Sequence, residues 1–207
     1  TGPATVKARF ERHGYFRPWR TGVTISVSDD SLREGDTVIL TLGERSGGGP
    51  GSFAQTFCAE VFEFRTAIDW CGTWVHTEVP SPRIAIVSGE PHRLVVVGAS
   101  EVAPGADTWI GIKAEDVWGN PCAGYRGEVS IDPGQLTGFP GSYRFCPEDA
   151  GVVRFSGVAP PAAGIHTVRV VDLQNGFEAE GNPLCCRVAQ NGWGRFWGDL
   201  HGQSAET

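Results

Sequence analysis

The sequence predicts an all-β chain: two consecutive β-sandwich units, the second immunoglobulin-like, followed by the first strand of a β/α domain. Three observations carry this. Glycine (29) and proline (14) are abundant in the 207 residues while helix-favouring runs are scarce, which is the composition of a chain with many turns. From residue 93 onward, short apolar stretches recur at roughly ten-residue spacing, the cadence of an immunoglobulin-like sandwich. The last stretch reads as a strand that ends in polar side chains, with Ser204 placed to cap a following helix.

Taken in order, residues 1–22 read as an N-terminal arm. Lys7, Arg9, Arg12, Arg17 and Arg20 lie among Phe10, Tyr15, Phe16 and Trp19. The expectation is that the aromatic rings pack on the body while the arginines stay in water. Residues 23–88 form the first unit. Val23, Ile25 and Val27 alternate, Asp29-Asp30 turns the chain, and residues 37–42 (Thr-Val-Ile-Leu-Thr-Leu) read as the next strand. Residues 46–52 are a Ser-Gly-Gly-Gly-Pro-Gly-Ser loop. Its backbone N–H groups suggest a phosphate cradle, but it lacks the Lys and the helix of a nucleotide-binding loop. Residues 57–68 read as one apolar, central strand, and residues 74–79 and 83–87 complete the unit.

Ser88-Gly89-Glu90-Pro91 marks the boundary to the second unit, residues 89–190. Strands are expected at 93–97, 108–114, 127–131, 152–155, 165–171 and 184–188. The turns between them carry Pro104-Gly105, Gly119-Asn120-Pro121, Pro133-Gly134 and Asn175-Gly176. Asp116 and Asn120 read as turn-capping residues rather than calcium ligands, since no acidic run accompanies them. His76, His92 and His166 lack partners at ligand spacing and read as structural. Residues 191–207 are a linker and the first strand of a domain completed elsewhere.

In that final stretch, side chains alternate faces, so Trp197, Asp199, His201 and Gln203 share one side. A carboxylate, an imidazole and a carboxamide stand in a row at a strand's end. Gly198 and Gly202 leave room for backbone or ligand to approach. Polar groups at the end of a strand that leads into a helix are the layout of β/α active sites.

The run Trp197-Gly198-Asp199-Leu200-His201-Gly202-Gln203-Ser204 resembles the opening motif of PHP-like metal-dependent hydrolases. The closest likeness is to a mostly uncharacterised branch with β-sandwich segments ahead of the metal domain. Residues 34–52 and residues 114–121 (Ala-Glu-Asp-Val-Trp-Gly-Asn-Pro) match the same branch. The resemblance implies a β/α metallohydrolase domain whose first strand ends in a His-x-His metal pair. His201 stands at the first ligand position, and Gln203 stands where the second His belongs. Asp199 is then the catalytic-site carboxylate that orients the metal ligands. The implied cofactor is a divalent metal ion (zinc, manganese or iron). The implied chemistry is water-mediated hydrolysis of an ester, phosphoester or related bond in a small-molecule substrate. A catalytic metal needs about three protein ligands, so the C-terminal catalytic portion is the expected partner. The end of the chain at Thr207 suggests a separate chain cut from the same precursor.

The net charge of −7 speaks against a general nucleic-acid binder, and no apolar run reaches membrane-spanning length. The six cysteines, Cys58, Cys71, Cys122, Cys146, Cys185 and Cys186, lack the spacing of a structural zinc site. Free thiols suit the cytoplasm, and Cys58–Cys71 and Cys122–Cys146 pairs would suit export. Two rival readings stand beside the hydrolase. One is a non-enzymatic tandem β-sandwich binding module. The other is a carbohydrate-binding sandwich using Trp70, Trp74 and Trp109.

Overall fold

The computed structural model describes residues 4–12 and 21–188. It is all-β with several sheets. The chain divides into two units, Thr1–Phe53 and Ala54–Thr207. Among the described residues no helix is long and apolar enough to cross a membrane.

Among its described residues the first unit contains one antiparallel hairpin, β1 (Thr5–Glu11) with β2 (Gly22–Ser28), in register from Thr5 opposite Ser28 to Glu11 opposite Gly22. Asp29 takes a left-handed φ of 71° just beyond β2, which ends the strand where the sequence places a turn. The expectation of an arm is corrected for residues 5–11, which form a paired strand. Val6, Ala8 and Phe10 alternate with Lys7, Arg9 and Glu11, a period-two pattern that β2 can pair with. Phe10 is 64% exposed. Arg17, Arg20, Tyr15, Phe16 and Trp19 lie outside the described residues. Residues 37–42 are also corrected: they form no strand, and Ile39 is 86% exposed. Their β-favouring side chains lack a neighbouring strand to complete a ladder, and β propensity depends on that context.

The second unit opens with four short strands, β3 (Ala59–Glu63), β4 (Thr66–Ile68), β5 (Thr77–Val79) and β6 (Arg83–Ile86). They form two antiparallel pairs, β3 with β6 and β4 with β5. The single central strand expected over 57–68 is therefore two strands with different partners. The break has a visible cause. Phe64 donates its N–H to the Pro82 carbonyl (2.9 Å), and Thr66 donates to the Ser81 hydroxyl (2.9 Å). The chain thus changes partner between these residues. Neither strand is central, and Phe57 and Val61 are 63% and 60% exposed.

The sandwich comprises β7 (Arg93–Gly98), β8 (Glu101–Val102), β9 (Thr108–Glu115), β10 (Glu128–Asp132) and β11 (Ser142–Arg144). It continues with β12 (Val152–Val158), β13 (Gly164–His166), β14 (Arg169–Asp172), β15 (Glu178–Glu180) and β16 (Leu184–Cys186). One sheet runs β12-β9-β7, and a second runs β11-β10-β14-β15. A third, β13-β16-β8, contains the parallel pair β16/β8. The stretch expected as one strand over 165–171 is split at Thr167, because β13 and β14 belong to different sheets. That is how strands turn sandwich corners.

Alternation builds the core. Leu94 and Val96 of β7, Ile110 and Ile112 of β9, and Val153 and Val158 of β12 are buried. Val129 and Ile131 of β10 and Val170 of β14 join them in the same cluster. A chain of tilted and edge-on rings, Tyr125–Phe145–Tyr143–Phe155–Phe139, runs through it with centroids 4.9–5.6 Å apart. Such pairs add to the area they bury. All the buried hydrophobic side chains among the described residues lie between Leu94 and Cys186. Residues 54–90 are tied on by hydrogen bonds instead.

This placement of the core is checked by equilibrium urea unfolding. Ile112→Ala is expected to cost about 2–5 kcal/mol, whereas Val61→Ala should stay within about 0.5 kcal/mol. Gly151→Ala should also destabilise, because Gly151 has φ +82° and an added Cβ would lie 2.4 Å from the Cys122 carbonyl oxygen.

Candidate functional site

The densest polar construction lies at the end of β9, within the 114–121 stretch. Glu115 is 5% exposed and is held by Arg93 (Nε–Oε2, 2.9 Å) and by Lys113. Burial pushes its carboxyl up, but these two cations outweigh that and hold it below the usual range. Asp116, 2% exposed, is the centre of the turn. Its Oδ1 accepts the N–H groups of Trp118 and Asn120, both at 2.9 Å. Its Oδ2 accepts the Gly89 N–H (3.0 Å) and the Asn120 side-chain amide (2.8 Å). Gly119, at φ +89°, lets the turn close so that its N–H reaches the Asp116 carbonyl (3.1 Å).

Asn120 carries the construction outward. Its Oδ1 accepts the Cys58 N–H (2.9 Å), and its Nδ2 also donates to the Thr56 carbonyl (2.8 Å). One side chain thereby stands in for a rung of a β-ladder and fixes residues 56–58. Burial is the largest single influence on Asp116 and raises its pKa. The hydrogen bonds from Asn120, Gly89 and Trp118 together overcome it and lower the value from 3.8 to about 2. A carboxylate with four accepted hydrogen bonds has filled its lone-pair sites. Turn capping, as the sequence suggests, is what the pair does, and neither oxygen is left for a cation.

A second corner repeats the design at the end of β14. Asp172, 1% exposed, accepts the N–H groups of Gln174 (2.7 Å) and Asn175 (2.8 Å) on Oδ1. On Oδ2 it accepts the Tyr125 hydroxyl (2.6 Å) and the Asn175 side-chain amide (2.9 Å). Burial again opposes ionisation of Asp172, but these donors prevail and lower its pKa. The Tyr125 phenol moves the other way, raised by burial and by its bond to the carboxylate.

Two clefts flank the first corner. The smaller, of about 470 Å³, is lined by Phe57, Val87, His92 and Trp118 among others. The larger, of about 1500 Å³, is lined by Cys58, Glu60, Ser88, Cys122, Tyr125 and Asp149 among others. Among the described residues no group of three or more His, Cys, Asp or Glu is placed to hold a metal ion.

No family model and no curated protein matches the chain. Among solved structures, a glycosyl hydrolase family 2 member from Bacteroides cellulosilyticus is similar at 12% identity and a TM-score of 0.43. That match covers 54% of this chain and 16% of the other. A second structure of a family 2 member from that species (strain DSM 14838) gives 14% identity and a TM-score of 0.40, covering 50% and 16%. A beta-glycosidase from Bacteroides vulgatus gives 16% identity and a TM-score of 0.40, covering 88% and 21%. The chain spans less than a quarter of the length of each.

The site residues named from the sequence, Asp199, His201 and Gln203, lie outside the described residues, as do Trp193, Phe196 and Trp197. The glycine-rich loop at 46–52 is exposed except at half-buried Gly51, and the Glu44 carboxylate already accepts the Ser46 N–H (2.7 Å). A carboxylate seated there opposes a phosphate. Trp70 and Trp74 are 68% and 85% exposed, on a loop where Asp69 accepts the N–H groups of Cys71, Thr73 and Trp74. Trp109 is separate, with the Arg154 guanidinium 4.5 Å from its ring centroid. His166 is buried and its Nε2 lies 3.0 Å from the Ala162 carbonyl, a structural placement. All six thiols are free. The sequence reading missed the approach of Cys58 to the Asn120–Cys122 segment, for which no local signal exists.

The Asp116 corner has a pH signature. A carboxyl with a depressed folded-state pKa adds stability above its unfolded value, and that stability is lost as pH falls through the folded value. Asp116 should therefore contribute fully above about pH 4 and lose its contribution towards pH 2. Thermal melts of Asp116→Ala from pH 7 to pH 2 should start lower than the parent, and the gap should narrow in acid as the ionisation-linked part is lost. A constant offset over that range would refute the assignment.

Proposed function

We propose that this chain is the accessory β-portion of a metal-dependent hydrolase and supplies the first strand of its metal site. The observation that carries the reading is the sequence Trp197-Gly198-Asp199-Leu200-His201-Gly202-Gln203-Ser204 and its likeness to PHP-like hydrolases. Two features of the structure support it. The polar corners at Asp116 and Asp172 are closed on themselves, as in a scaffold. Phe57, Val61, Trp70, Trp74, Val75 and Val87 are each at least 60% exposed, large apolar side chains that other protein could cover.

In this reading His201 is a metal ligand, Gln203 offers its carboxamide oxygen to metal or substrate, and Asp199 orients His201. The bound divalent ion, zinc, manganese or iron, would lower the pKa of a water and polarise the bond to be cut. Gln203 in place of a second imidazole makes a weaker ligand, so further ligands come from the catalytic portion, the chain's partner. The substrate is a small molecule bearing an ester, phosphoester or related bond.

The test uses the complete assembly, with metal content by mass spectrometry and hydrolysis of ester and phosphoester substrates as readouts. His201→Ala should lower both metal occupancy and rate. Asp199→Asn should weaken metal affinity by about 10–100-fold, as loss of an orienting carboxylate does. Unchanged metal and rate in His201→Ala would overturn the reading in favour of a non-enzymatic tandem β-sandwich binding module.

A further inference from the structure

We infer that Cys58 and Cys122 form a redox couple, in which exposed Cys58 captures a small disulfide and buried Cys122 resolves it into a Cys58–Cys122 bridge. The inference stands independently of the hydrolase reading. Both residues line the larger cleft. The Cys58 N–H donates to the Asn120 side chain at 2.9 Å, and Cys122 follows Asn120 by two residues. Asn120 thereby holds Cys58 beside the segment that carries Cys122, whose Sγ lies 3.9 Å from the Asn120 carbonyl; a disulfide needs the two Cα atoms about 4.4–6.8 Å apart.

The Cys122 Sγ faces the 88–89 segment, 3.6 Å from the Gly89 carbonyl. Cys58 is close enough to the Cys122 thiol to interact with it electrostatically, and Asp116 and Glu90 place negative charge beside it. Burial, followed by those negative neighbours, raises the Cys122 pKa, although a Ser88 hydrogen bond works against this. The exposed member is therefore the one that meets a disulfide from solution, and the buried one is sheltered from it. Cys71, the partner first expected for Cys58, sits on the Asp69-organised loop. Cys146, the partner first expected for Cys122, sits at the start of a short 3-10 turn (Pro147–Asp149) against Glu148 and Asp149.

The exchange balances with a low-molecular-weight disulfide such as oxidised glutathione. The Cys58 thiolate attacks one sulfur and forms a mixed disulfide, releasing one glutathione thiolate. The Cys122 thiolate then attacks the Cys58 sulfur, forms the protein disulfide and releases the second glutathione. Two protein thiols are oxidised as one glutathione disulfide is reduced to two thiols. The bridge would tie residues 54–58 to the sandwich covalently, where Asn120 now does so by hydrogen bonds.

The test treats the full chain with oxidised glutathione and counts thiols in denaturant, with peptide mapping of the linked species. We expect the count to fall from six to four, a Cys58–Cys122 linked peptide, and a higher melting temperature than the reduced chain. Cys71→Ser should retain the bridge and Cys58→Ser should lose it. Cys122→Ala should stop at a glutathione adduct on Cys58, and Cys58→Ser at an exposed position keeps the test valid if Cys122→Ala folds poorly. A Cys58–Cys71 or Cys122–Cys146 bridge would overturn the inference. So would a persistent Cys58 adduct in the parent chain.

Discussion

The Asp116 carboxylate accepts four hydrogen bonds, and the arrangement of the second unit follows from where those donors lie. Two come from its own turn and close β9 onto the segment that leads to Cys122. One comes from Gly89, at the junction between the strand pairs and the sandwich. The last comes from Asn120, whose amide reaches on to Thr56 and Cys58. Removing this ion from water would be costly without partners. With every lone pair met, the corner becomes a fixed point from which three segments are positioned. Glu115, one residue earlier, is buried on comparable terms against Arg93 and Lys113.

This distinguishes two ways the chain holds itself together. Residues 94–186 are held by a packed apolar core, with polar corners at Asp116 and Asp172 closing its ends. Residues 54–90 contribute no buried side chain, and side-chain amides and hydroxyls pin them in place. Asn182 does the same work elsewhere, accepting the Gly98 N–H (2.8 Å) and donating to the Gly98 carbonyl (3.2 Å). Side chains that imitate a peptide group can extend a sheet's order without a strand. They add little apolar burial, which leaves Phe57, Val61 and Val87 exposed for other protein to cover.

Much of the sandwich was legible in the sequence because apolar alternation and sheet burial coincide there. Strands β7, β9, β10 and β12 all fall where alternation places them, and the Gly119-Asn120-Pro121 turn reads directly as a turn. The failures have physical causes. β1 hides behind its lysine and arginine because both its faces are largely exposed. β8, β11 and β15 are two or three residues long and mostly polar, too short for periodicity to register. Residues 37–42 have the right side chains but no ladder partner. The break at Phe64 and the sheet change at Thr167 depend on which strands lie nearby, and no local pattern encodes that. At the candidate site, the capping role of Asp116 and Asn120 was readable from residue type and spacing. The partners Gly89, Thr56 and Cys58 were not, being 27 to 64 positions away.

The Asp116–Asn120 corner positions residues 56–58 and 89 against the sandwich. Amide hydrogen exchange on Asn120→Ala measures this most directly. The corner's role predicts much faster exchange at Cys58, with the amides of Ile112 and Val129 in the sandwich core unchanged. Equal protection of Cys58 in parent and variant would contradict it, since residues 56–58 would then be held by something other than this side chain.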